Sequence, residues 1–246
     1  MKKLYGKTME KQITSRFLKT DIPILLYLPP NYSDLYSYDV LIAQDGKDYF
    51  QLGRIARQTE ELIEQNKIKD IIIAGIPYPS VEKRREWYHP NGTFHKQYLR
   101  FLAEELVPFL DKEFQTQPVN TGRVLVGDSL GATVSLIAAL EYPHTFTNAI
   151  LQSPFVNEDV LHTVTNKIQT QLQLYHVIGL QETEVQTTNG RTVDFLQPNR
   201  KLNQLLSNRI SHYYYEEFNG DHTWKYWQPD LKKALVHMFA PSVKTK

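Results

Sequence analysis

Short runs of aliphatic and β-branched residues recur along the chain, separated by longer stretches whose apolar positions return every three to four residues. The short runs lie at 24–28, 39–43, 70–76, 123–126, 149–152, 174–178 and 213–218. Several are apolar throughout instead of alternating, the mark of strands covered on both faces. Helical periodicity fills 52–66, 94–114, 132–141, 157–168, 199–209 and 229–239. In the second of these, Leu99, Leu102, Leu106, Phe109 and Leu110 form one stripe, and Pro108 is expected to kink or break it. Strands alternating with helices predict an α/β fold: a mostly parallel central sheet flanked by helices on both faces. The stretch 77–92, rich in Pro, Arg and aromatics, reads as one long irregular segment, a candidate lid or substrate loop.

Composition narrows this picture. A chain of 246 residues, 41% hydrophobic and 22% charged, suits one large domain over 1–246. The 28 basic residues against 27 acidic ones give a net charge of +1. Binding to nucleic acid or through a polybasic membrane patch would need a basic excess, so neither partner is expected. The absence of cysteine excludes disulfides, thiolate nucleophiles, zinc–thiolate sites and iron–sulfur clusters. Two lysines open the chain without the apolar run of a signal peptide, and nothing approaches the roughly 18 apolar residues of a membrane span. A soluble, cytoplasmic protein is expected.

Candidate chemistry begins at Gly127-Asp128-Ser129-Leu130-Gly131, which follows a predicted strand and precedes a predicted helix. That is the strand–turn–helix setting of a nucleophile elbow. Small residues two positions either side of Ser129 let strand and helix approach closely, which lifts the hydroxyl clear of the sheet. The same turn aims the Leu130 N–H, at a helix N-terminus, toward a developing oxyanion. A serine needs a base, and the base an orienting carboxylate. Among the downstream histidines, His222 stands alone in a loop, Asn219-Gly220-Asp221-His222, at the carboxyl edge of the sheet, where open α/β folds bind ligands. His144, His162, His176, His212 and His237 fall in or beside helices and strands and are expected to be structural or exposed. For the carboxylate, the loop after 174–178 offers Glu182 and Glu184, with Asp194 a weaker third.

These residues carry a likeness. The chain resembles the putative-esterase family of α/β-hydrolases, which includes enterochelin (catecholate siderophore) esterases and, more distantly, esterase D and the mycolyltransferases. The likeness runs from about Ile24 to Phe239. Its marks are Gln44-Asp45-Gly46 with Asp48-Tyr49-Phe50, the segment Arg84-Arg85-Glu86-Trp87-Tyr88-His89-Pro90, and Glu105 to Asp111. They continue through the elbow, Tyr142-Pro143 with Phe146, Gln152-Ser153-Pro154 and Gly220-Asp221-His222-Thr223-Trp224. The resemblance selects Glu182 as the acid and implies the Lys47 N–H, in the Asp-Gly loop, as second oxyanion donor beside Leu130. Gln44 departs from the Asp or His common there, without consequence for a backbone donor.

Together these imply a serine esterase working through an acyl-enzyme, with a small-molecule ester as its partner and no metal or organic cofactor. No H-E-x-x-H or H-x-H pattern occurs, and His89 and His95 read as surface residues. Arg84, Arg85, Trp87, Tyr88, Phe155, Trp224 and Trp227 are expected to line a pocket suited to an aromatic, anionic ester such as a catecholate siderophore trilactone. A short-chain carboxylesterase or thioesterase of the esterase D type is the enzymatic alternative, and a non-catalytic binding module the third. Oligomeric state is not legible.

Overall fold

A computed structural model describes residues 4–241; the Lys2-Lys3 pair lies outside them. The chain opens with β1 (Lys7–Ser15), β2 (Thr20–Leu28) and β3 (Asp39–Ala43), then α1 (Gly46–Gln51), α2 (Ile55–Glu64) and β4 (Ile71–Gly75). Next come α3 (Val81–Tyr88), α4 (His95–Arg100), α5 (Val107–Glu113), β5 (Arg123–Asp128), α6 (Leu130–Glu141), β6 (Asn148–Gln152) and α7 (Glu158–Lys167). The last third holds β7 (Gln173–Gly179), β8 (Val185–Gln186), β9 (Thr192–Val193), α8 (Leu196–Ser207), β10 (His212–Phe218) and α9 (Trp224–Phe239).

The main sheet runs β1-β2-β4-β3-β5-β6-β7-β10. β1 pairs antiparallel with β2, and β2 with β4. Every later neighbour is parallel. This is the mostly parallel, helix-flanked α/β sheet that the sequence pattern predicts. Its central strands are apolar throughout because both faces are covered: Val40 and Ile42 of β3 join one core cluster, Leu41 and Ala43 the other. The same division separates Leu125 from Val124 and Val126 in β5. A strand covered on one face only would have alternated.

The departures from expectation have local causes. β1 escapes the hydrophobic pattern because it is an edge strand, Lys-Thr-Met-Glu-Lys-Gln-Ile-Thr-Ser, whose side chains are largely exposed. The segment 77–92 is not a single irregular loop. It contains α3, started by Ser80, whose hydroxyl accepts the Lys83 N–H. Nor does Pro108 break its helix. The chain stays helical from His95 to Glu113, with a π-helical stretch at Phe101–Leu106 directly before the proline. That wider turn relieves the clash between the pyrrolidine ring and the preceding carbonyl. α9 begins at Trp224, five residues ahead of the expected start, with Pro229 exposed inside it. No described helix is long and apolar enough to cross a membrane.

Candidate active site

The parallel strands β3, β5, β6 and β7 end on one edge of the sheet, and the loops there enclose a cavity of about 360 Å³. Three of the residues that leave these strands hold positive φ without being glycine: Asp45 (51°), Ser129 (53°) and Ser153 (49°). Such conformations are held only by surrounding structure that over-determines them, and they gather at functional sites. Around Ser129 the constraint is visible. A Cβ added to Gly127 would sit 2.1 Å from the Gly131 carbonyl carbon, so only glycine lets β5 and α6 meet this closely. The Ser129 N–H donates to the Gln152 carbonyl (2.9 Å), tying the elbow to β6.

His222, in the loop between β10 and α9, lines the same cavity as Ser129. Its Nδ1 lies 2.6 Å from Glu182 Oε2. Its ring is held between Phe195 (4.5 Å between centroids) and the edge-on Trp227 (4.8 Å). Glu182 has no solvent exposure. Its Oε1 accepts from the Ser153 hydroxyl (2.7 Å) and the Gly179 N–H (2.8 Å). Ser153 in turn accepts from Trp227 Nε1 (3.0 Å). Two donors and the His222 ring thus surround a carboxylate that has no access to solvent. The other carboxylates of that region stand elsewhere: Glu184 is exposed, and Asp194 Oδ1 accepts the Gln197 N–H at the start of α8 (3.2 Å).

Across the cavity, Leu130 forms part of the wall. Lys47 is the second residue of α1, with an exposed side chain, and the wall takes in its neighbour Asp48 instead. Among the described residues, neither the Lys47 nor the Leu130 N–H donates to a backbone carbonyl. Both belong to first turns of helices, where amides lack intrahelical acceptors. Arg84 of α3 grips Asp45 with one edge of its guanidinium, Nε to Oδ1 at 2.8 Å and Nη2 to Oδ2 at 2.6 Å. Nη2 also reaches the Asp128 carbonyl at 3.4 Å. Burial works against the Arg84 charge, but Asp45 outweighs it and holds the proton more firmly. Asp128 is buried, with Oδ1 unpartnered. Burial first, then the Asp45 carboxylate, pushes its pKa up to about 8.

Three of the aromatic residues expected to line the pocket do not. Trp87 and Tyr88 are buried in the core, each packed on Tyr98, and the Tyr88 hydroxyl accepts the Asp45 N–H (3.2 Å). Val81, Arg84 and Arg85 of α3 reach the cavity, whereas Trp87 and Tyr88, in its last turn, are covered by Tyr98. Trp224 packs edge-on against Tyr49 and outside the wall. Phe155, Arg84, Arg85 and Trp227 do line it. His95, expected at the surface, is buried with Nδ1 3.0 Å from the Trp87 carbonyl. His89, also expected there, is half-buried in the cavity wall. Burial, then Arg85, lowers its pKa.

Sequence reasoning missed Ser153 as a support for Glu182, and missed the β8–β9 hairpin whose turn overhangs the cavity with Thr187, Thr188, Asn189 and Arg191. Asn189-Gly190 between Val185 and Val193 was a legible hairpin signal. Among the described residues, no group of three or more His, Cys, Asp or Glu is placed to hold a metal ion.

A family model described as "Putative esterase" matches residues 15–238. The uncharacterized protein YjcH of Bacillus subtilis (strain 168) is 51% identical over 234 residues, 95% of this chain and 98% of that protein. Among solved structures, the enterobactin esterase FES of Shigella flexneri, determined in the presence of enterobactin, superposes with a TM-score of 0.83 at 16% identity. That match covers 94% of this chain and 58% of FES. The BES protein of Bacillus cereus matches at TM-score 0.78 and 19% identity, over 98% of both chains. A ferulic acid esterase gives 0.78 at 14%, over 96% of this chain and 98% of its own.

Proposed function

The chain belongs to the putative esterase family, and from that premise we propose that it hydrolyses carboxylic esters with Ser129 as nucleophile, His222 as base and Glu182 as orienting acid. The observation that carries this reading is the 2.6 Å contact from His222 Nδ1 to a wholly buried Glu182, with His222 and Ser129 facing one cavity.

The chemistry follows from the arrangement. His222 Nε2 takes the Ser129 proton as Oγ bonds to the ester carbonyl carbon, and the carbonyl electrons move onto oxygen. The amides of Leu130 and Lys47 receive that oxyanion, each worth roughly 3–4 kcal/mol. Collapse expels the alcohol, which takes the proton from His222 and leaves an acyl-serine. Water then adds to the acyl carbon, giving its proton to His222, and the serine leaves with that proton as the acid departs. Glu182 holds the imidazole in one tautomer and offsets its charge while it is cationic.

For substrate, we propose an ester carrying an aromatic or anionic group. One edge of Arg84 is committed to Asp45, whereas Arg85 and Arg191 line the wall together with Phe155 and Phe195. A catecholate siderophore trilactone has that character, and the fold shared with an enterobactin esterase supports it. The cavity volume favours a second reading. At about 360 Å³ it is small for an intact trilactone and fits a short acyl ester or thioester.

Ser129→Ala tests the mechanism. Turnover of p-nitrophenyl butyrate is expected to fall by about 10⁶-fold, as for other lost serine nucleophiles, and fluorophosphonate labelling should vanish. Retained turnover would refute the serine mechanism, and absent labelling of the native protein would favour a binding module. Comparing the ferric trilactone with p-nitrophenyl acetate and butyrate separates the substrate readings.

A further inference from the structure

Two loops must hold their amides in register for an oxyanion site to work, and in this protein they leave different strands. The Asp45-Gly46-Lys47 turn leaves β3, and the Asp128-Ser129-Leu130 turn leaves β5. Each turn bends through a residue with positive φ, Asp45 or Ser129. The side chain that spans them comes from a third element, α3. Arg84 makes two charge-assisted bonds to Asp45 and a longer one to the Asp128 carbonyl, the last group before the nucleophile. Its side chain is 12% exposed and that of Asp45 is 1% exposed. The next turn of α3 braces the same point, since the Tyr88 hydroxyl accepts the Asp45 N–H.

We propose that Arg84 is a positioning residue that clamps the Lys47-bearing turn to the nucleophile elbow, so that both amides aim at one point in the cavity. This rests on the serine-esterase reading above. The geometry favours clamping, because the Nε–Nη2 edge of the guanidinium is taken by Asp45 and the same Nη2 extends to the Asp128 carbonyl, which leaves only Nη1 uncommitted. A planar, bidentate guanidinium suits this role, and a lysine ammonium does not reproduce it. The groups facing Arg84 are Asp45, Asp48 and Asp128, with the Tyr78 and Tyr88 rings against its guanidinium. The positive charge is therefore balanced within the protein.

The test uses the full chain, with Arg84→Met and Arg84→Lys, and counts functional sites by fluorophosphonate titration. Per titrated site, Arg84→Met is expected to lose about 10²- to 10³-fold in kcat on p-nitrophenyl butyrate, the effect of losing one oxyanion donor. KM should stay within about threefold. Arg84→Lys, which keeps the charge but not the fork, should recover about tenfold of that loss. An aryl trifluoromethyl ketone, whose serine adduct is an oxyanion, should weaken in parallel with kcat/KM. A merely structural role would lower melting temperature and the titrated fraction while leaving kcat per site and the ketone affinity unchanged, and that result overturns the proposal. Should Arg84→Met fail to fold, Asp45→Asn carries the same expectation, since it removes the carboxylate that Arg84 grips. A native protein that the fluorophosphonate does not label would fail the serine reading itself. Labelled protein with unchanged variants fails only the clamp.

Discussion

Glu182 and Asp128 are both buried carboxylates beside the same cavity, yet the protein surrounds them differently. Glu182 has a donor for each oxygen: Ser153 and the Gly179 amide on one, His222 on the other. Asp128 has an oxygen with none, and the nearby guanidinium is committed to Asp45. What differs is the supply of donors, and a buried acid short of them holds its proton to higher pH, as Asp128 does. Under the proposed mechanism, the half of the cavity with Glu182 stabilises a cation on His222. In the other half, an Asp128 that holds its proton adds no negative charge beside Ser129.

Removing the charge from the first half is the strongest way to break this contrast. Glu182→Gln keeps the shape of the side chain but offers His222 a neutral amide, which favours the wrong imidazole tautomer. In a comparable triad such a change costs about 10⁴-fold in kcat. The same loss is expected here on p-nitrophenyl butyrate, with KM nearly unchanged. Glu184→Gln, at an exposed position in the same loop, is the control and should leave kcat as it is. Equal effects from the two would erase the distinction between them.

A smaller effect tests whether the donors around Glu182 matter one by one. Ser153→Ala removes a hydroxyl that donates to Glu182 and accepts from Trp227 Nε1. The indole N–H is then buried without a partner. The expected loss is about 1–3 kcal/mol of stability in urea unfolding, and activity should fall far less than with Glu182→Gln. Unchanged stability would mean that solvent reaches Trp227, against its burial.

How far the sequence revealed this contrast depends on the range of each interaction. The elbow was legible because its demands are local: Gly127, Ser129 and Gly131 are packed within five residues by sterics alone. His222 was legible because it follows the last strand of a recognisable order. Glu182 could be separated from Glu184 and Asp194 only by resemblance, since their differences in burial arise from packing between β7 and the start of α8. Arg84 lines the cavity as expected, but nothing in the sequence says that Asp45, 39 positions away, claims one edge of its guanidinium. Trp87 and Tyr88 were misplaced for a related reason. A helix unseen in 77–92 had no face, so its aromatics could not be assigned inward.

The last effect concerns the half of the cavity with Asp128, and it is one of slope. The Asp128 pKa is about 8 in the fold, against the ordinary 3.8 when unfolded. Between those values the folded protein holds a proton that the unfolded chain has released, so stability falls as pH rises through this window. Above about 8 the contribution levels off. Asp128→Asn removes the titration, so native stability relative to the variant should decline from about pH 5 to pH 8. The slope is at most about 1.4 kcal/mol per pH unit, and it is read from urea unfolding at unit steps of pH. A carboxylate sharing Arg84 would show the opposite trend, gaining stability relative to the variant as pH rises from about 3 to 5. A difference curve of that form would make Asp128 a second Glu182, and the two halves of the cavity would no longer be distinct.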